Sequence, residues 1–201
     1  MFLNPAKPIA TCSSETCEGC EVANSIHCHF SLKDLIHFLT VCLPSLFLGG
    51  WGIANMGTWF LAPWIVFMCG YFWFLEIRVM CSHCPHYGEP GSSLKCWANY
   101  GAPKIWYYRP GPMNFLEKFL FLGGFALIWG YPLYFLISGS QWFLLFVYAL
   151  STVSGAMTLK LFFCTRCMNF ACPLNGVDEA TKHAFFKQNP QVAKAWKIVP
   201  D

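Results

Sequence analysis

Trp59-Phe60-Leu61-Ala62-Pro63-Trp64-Ile65-Val66-Phe67-Met68-Cys69-Gly70-Tyr71-Phe72-Trp73-Phe74-Leu75-Glu76-Ile77 contains a single ionisable carboxylate, one residue from its end. As a helix these residues are about 28 Å long, close to the ~30 Å hydrocarbon thickness of a bilayer. A helix apolar all round belongs in a core or a membrane. Residues 35–54, 119–137 and 142–159 read the same way. Composition agrees: 56% of the 201 residues are hydrophobic, 18% aromatic and only 11% charged. That balance does not fit a soluble domain and is the reverse of a disordered chain, and a net charge of +3 is too mild for a nucleic-acid partner.

The flanks carry start signals. Ser31-Leu32-Lys33-Asp34 and Asn114-Phe115-Leu116-Glu117 read as capping boxes opening the first and third helices. Residues 55–58 and 138–141 are uncharged links just long enough to reverse a helix. All 13 Lys and Arg lie in the other three segments, which is the positive-inside bias of a chain inserted from the cytoplasm. The expected fold class is therefore an all-α integral membrane protein: four transmembrane helices as two hairpins, with a Cys-rich irregular cytoplasmic face. Residues 1–34 form a Cys-rich N-terminal segment, 35–163 the membrane domain with its cytoplasmic loop 78–118, and 164–201 a Cys-rich tail. The expected location is the cytoplasmic (inner) membrane, with both termini and all Cys-rich segments in the cytoplasm. No signal peptide is expected, because prolines, acids and cysteines occupy residues 1–30 where an apolar run would stand.

Pro44, Pro63 and Pro132 fall in or near the spans, where neighbours can satisfy the freed carbonyls. Small residues, Ser151 with Gly155 and Gly123, Gly124 and Gly130, mark expected helix contacts. No intramembrane Asp, Lys or Arg pair suggests an ion path. Glu76, followed closely by Arg78, is expected at headgroup level beside a partner. His37 reads as an interfacial hydrogen-bonding group.

Of the 12 cysteines, Cys42 and Cys69 lie within spans and read as small buried hydrophobes. The other ten share the cytoplasmic side, where a reducing environment favours metal ligation or redox chemistry over disulfides. Cys81-Ser-His-Cys84 and Cys164-Thr-Arg-Cys167 follow the second and fourth spans at one membrane depth. Two knuckles of this spacing supply four thiolates, the donor set of structural zinc or an iron centre. Cys96 and Cys172 are further candidates. The N-terminal group Cys12, Cys17, Cys20 and Cys28 packs four thiols into 17 residues, with His27 and His29 beside the last; zinc fits it as well as iron.

Cys84-Pro85 and Cys172-Pro173 repeat the Cys-Pro step that closes bacterial ferredoxin ligand runs. The run from Cys164 to Pro173, Cys-x2-Cys-x4-Cys-Pro, resembles a ferredoxin run lacking one cysteine, and is also similar to membrane-anchored ferredoxin-type proteins. Cys12-x4-Cys17-x2-Cys20 resembles the plant-type iron-sulfur opening. These resemblances imply iron-sulfur ligation, with the missing ligand drawn from Cys81, Cys84 or Cys96.

The aromatic, Gly- and Pro-rich loop 86–113 is assigned to the interfacial belt, with a quinone or lipid headgroup entry as its second reading. Lys95, Lys104 and Arg109 read as headgroup anchors. In the tail, Asp178 is expected to cap a helix to about Gln188, broken by Asn189-Pro190. The function expected is an iron-sulfur electron-transfer subunit linking a soluble donor to quinone or to other membrane or redox subunits. The alternatives are a zinc-stapled accessory subunit and a quinone-linked thiol-disulfide oxidoreductase.

Overall fold

The computed structural model describes residue 4 and residues 6–198; residues 1–3, 5 and 199–201, the outer ends of the two Cys-rich terminal segments, lie outside the described residues. Four helices are long and apolar enough to cross a membrane: Leu32–Met56, Thr58–His83, Phe115–Ser138 and Trp142–Arg166. No strand forms among the described residues, only an isolated bridge between Ser93 and Pro103. Each helix outruns its apolar stretch because caps and knuckles, which hydropathy does not register, set its ends.

The first span is helix α1 (Leu32–Met56), opened by Ser31, whose Oγ accepts from the Asp34 N–H at 3.3 Å. The second is composite: α2 (Leu61–Gly70), a π turn over Tyr71–Leu75, α3 (Glu76–Val79) and a 3-10 turn over Cys81–His83. The third, α4 (Phe115–Ser138), begins with a complete capping box between Asn114 and Glu117. The fourth, α5 (Trp142–Thr158), also passes through a π turn, Leu159–Phe163, into a 3-10 turn, Cys164–Arg166. Both knuckles are thus the tightened last turns of membrane helices. At Gly57, with φ 148°, the chain turns from α1 into the second span.

Helix α4 contacts the other three spans, along a stripe of Phe121, Gly124, Ile128, Pro132 and Phe135 at helical spacing. Close approach drives this packing, since apolar burial contributes little between helices in lipid. A Cβ on Gly124 would fall 1.8 Å from the Tyr71 ring, and one on Gly52 would fall 2.4 Å from Leu136; Gly155 leaves room for the Val41 carbonyl, 3.1 Å from its Cβ position. Gly123 and Gly130, expected at contacts, face open space, because they sit off that stripe. Side-chain donors then satisfy backbone carbonyls across the helices: Tyr71 to Phe121 at 2.6 Å, Trp64 to Ile128 at 2.9 Å, and Tyr148 to Trp129 at 2.7 Å. The two short links meet, with Asn55 donating to Gln141 at 2.7 Å and Gln141 donating to the Gly52 carbonyl at 2.9 Å.

The remaining segments share one core. Ile9, Val22 and Ile26 pack with Cys84 and Met168 and with Val177, Phe185, Phe186 and Val192 of the tail. The tail forms α6 (Glu179–Gln188), capped by Asp178, and α7 (Pro190–Ala195). It lies over the N-terminal segment: Ser13 N–H donates to the Gln188 carbonyl at 2.8 Å, and the Thr11 hydroxyl donates to Asn189 Oδ1 at 2.8 Å.

Candidate metal centre

The knuckles converge because spans two and four deliver them to the same end of the bundle, where Asn169, two residues after Cys167, donates to the Met80 carbonyl just before Cys81 at 3.1 Å. The sulfurs come within electrostatic reach of one another: Cys84 senses Cys167, Cys96 and Cys172, Cys81 senses Cys96 and Cys84, and Cys172 senses Cys164. Six thiols from three chain segments therefore form one neighbourhood.

The backbone around four of them has a shared form. Cys84 and Cys167 both leave their 3-10 turns in extended conformation, at φ/ψ −76/138° and −82/125°. Cys96 accepts from the Asn99 N–H at 3.2 Å, and the backbone dipoles of His86, Asn169 and Leu174 favour the thiolates of Cys84, Cys167 and Cys172. Donors aimed at sulfur stabilise thiolate over thiol. Burial works against them, pushing Cys96 up to about 11 and Cys172 up to about 12, with Cys84 and Cys167 well above the usual thiol range. Cys84 is buried and Cys96, Cys167 and Cys172 are half-buried, so these sulfurs are shielded from solvent to different degrees. Cys81 is engaged differently: its thiol lies 3.4 Å from a Glu76 carboxylate oxygen and accepts from Asn99 Nδ2 at 3.2 Å.

Cys12, Cys17, Cys20 and Cys28 form a second neighbourhood. All four line one small cavity of about 30 Å³, closed by Ile9, Val22 and Phe185. Burial, followed by Cys20, Cys17 and Cys12, pushes the Cys28 thiol up to about 12. Among the described residues, no three His, Cys, Asp or Glu side chains are set as a group to hold a metal ion.

Several neighbours depart from expectation. Glu76 is buried, 3% exposed, and turns inward to Cys81 and Asn99; Arg78 pairs instead with Glu117 at 3.6 Å. Arg109 binds the same carboxylate at 2.6 Å and the Arg78 carbonyl at 2.7 Å. It therefore clamps the central loop to the knuckle helix and is spoken for as a headgroup anchor. His37 is exposed, and Cys69 faces outward from its helix. The buried histidines are His83, whose Nδ1 lies 2.6 Å from the Gly111 carbonyl, and His86, which lies near the His27 backbone. Burial lowers His86 to about 4, leaving a neutral imidazole two residues from Cys84. Sequence reading passed over His86, Asn99 and Asn169; the only signal was their place within three residues of a cysteine. No protein family, curated protein or solved structure matches this chain.

Proposed function

We propose that this chain is a small polytopic electron-transfer protein of the cytoplasmic membrane, with iron-sulfur clusters held by its cytoplasmic thiols. The observation that carries this reading is the cavity bordered by Cys12, Cys17, Cys20 and Cys28. Around zinc, sulfurs ~2.3 Å from the ion stand about 3.8 Å apart and leave no room for a water-sized atom. Here the four thiols help to line a cavity of about 30 Å³ that admits such an atom, and room of that kind suits a polynuclear core better than one ion. The second centre draws on Cys84, Cys96, Cys167 and Cys172, with Cys81 and Cys164 beside them. Clusters there supply one-electron chemistry, and the chain supplies N–H donors to sulfur and a dry surround, the two levers that tune a cluster's potential.

The charge bias supports reading both hairpins as cytoplasmic insertions, and on that reading a soluble cytoplasmic donor meets the clusters and quinone or other membrane or redox subunits receive the electrons. A thiol-disulfide role is disfavoured, since reactive cysteines need depressed pKa values and access, whereas Cys84 is buried and its thiol is raised. The test is anaerobic purification in detergent with iron, sulfide and zinc analysis. A brown protein with iron and labile sulfide that bleaches on dithionite is expected; a colourless protein with stoichiometric zinc overturns the reading in favour of the accessory-subunit alternative.

A further inference from the structure

A cleft of about 470 Å³ opens where the first span begins and the fourth ends, between the Lys33–Val41 face and the Thr158–Arg166 face. Because both helices reach their polar ends there, the cleft stands at headgroup depth, open to lipid on its apolar side. Its volume lies within the ~300–1,000 Å³ typical of small-molecule sites. The lining is amphiphilic: Phe162 and Phe163 form an apolar wall, opposed by His37, Lys33 and the His27–Asp34 pair, joined at 3.0 Å.

The cleft also borders both thiol neighbourhoods. Thr165 and Arg166, which line it, are the two residues between Cys164 and Cys167, and His27 directly precedes Cys28. The seam is closed by His27 N–H donating to the Arg166 carbonyl at 2.8 Å. Phe163 packs with its ring tilted 40° against Trp97, centroids 5.0 Å apart, next to Cys96.

We propose that this cleft binds the ring of a membrane quinone. The inference rests on the electron-transfer reading above and gives it an acceptor site. A planar ring fits against Phe162 and Phe163, its carbonyl oxygens accept from donors such as His37 and Lys33, and its isoprenoid tail leaves between the spans into lipid. Reduction of the quinone to the quinol would take two electrons, which clusters held by the neighbouring thiols would supply one at a time after reduction by a soluble one-electron carrier protein, and two protons from water in the open cleft.

The full chain in phosphatidylcholine nanodiscs is titrated with decyl-benzoquinone, with iron measured on the same samples. Saturable binding is expected. His37→Leu, which removes a donor, and Thr158→Trp, which fills the cleft, each weaken it at least about tenfold, equivalent to ~1.4 kcal/mol, while iron content stays at the wild-type level. Iron present with no saturable binding, or binding indifferent to both substitutions, overturns the site. Retention of phosphatidylglycerol, lost in Lys33→Ala, with no quinone binding makes the cleft a lipid headgroup site and equally overturns it. Quinone binding that both substitutions weaken, in protein that holds no iron, keeps the site and refutes the iron-sulfur reading instead.

Discussion

The two thiol neighbourhoods are built in opposite ways. The N-terminal quartet lies within 17 residues of chain. Cys84, Cys96, Cys167 and Cys172 span nearly ninety residues and meet only because two membrane helices deliver them together. A local ligand set needs little chain ordering before it can grip a metal. A distant one draws its geometry from the bundle, and should be slower to form and harder to strip.

The largest effect expected is a clean division of the metal. Cys84→Ser removes the centre shared by the knuckles and leaves the quartet's iron in place, whereas Cys20→Ser does the reverse. Iron and sulfide counts with electron paramagnetic resonance on the reduced variants read this directly; loss of both centres from either substitution would show that the two neighbourhoods are one.

Next in size is Phe185→Ala. Phe185 is fully buried and closes the quartet's cavity, so truncation costs about 3–5 kcal/mol of the soluble face. The quartet should lose iron to a chelator faster, with the knuckle centre slower to follow. Equal stripping of both would break the contrast between a tail-held centre and a helix-held one.

The smallest is Asn114→Ala. It deletes the capping-box bond that Asn114 Oδ1 accepts from the Glu117 N–H, at roughly 1 kcal/mol, leaves the backbone N–H of residue 114 able to donate to Glu117, and loosens the helix start beside Arg109. A fall in melting temperature with unchanged metal content is expected from thermal unfolding followed by circular dichroism. A loss of iron would show that the Arg109–Glu117 clamp sets the thiol geometry more tightly than the helix bundle does.

Much of this was open to reading from the chain. The four spans follow from apolar runs that water cannot accommodate, and Ser31 and Asn114 mark two starts because their side chains take up orphan N–H groups whatever the tertiary context. The tail's break at Asn189-Pro190 is equally local. Glu76 was misplaced for an equally physical reason: sequence shows that Arg78 is nearby, but not that a helix turn sends the two side chains in different directions. Gly124 counted and Gly123 did not, because one residue of rotation decides which of them meets Tyr71.

What the sequence determined by itself is the inventory: four apolar runs, ten thiols beyond those runs, and all the Lys and Arg in the segments that carry the thiols. Hydropathy and charge act residue by residue, so they can be summed along a chain. The tertiary structure alone decided which sulfurs are neighbours, that Cys81 and Cys96 meet Asn99, that Glu76 turns inward, and that a cleft opens beside both thiol groups. These depend on distances between residues remote in sequence, which are fixed only when glycine contacts and interhelical hydrogen bonds lock the bundle into one packing.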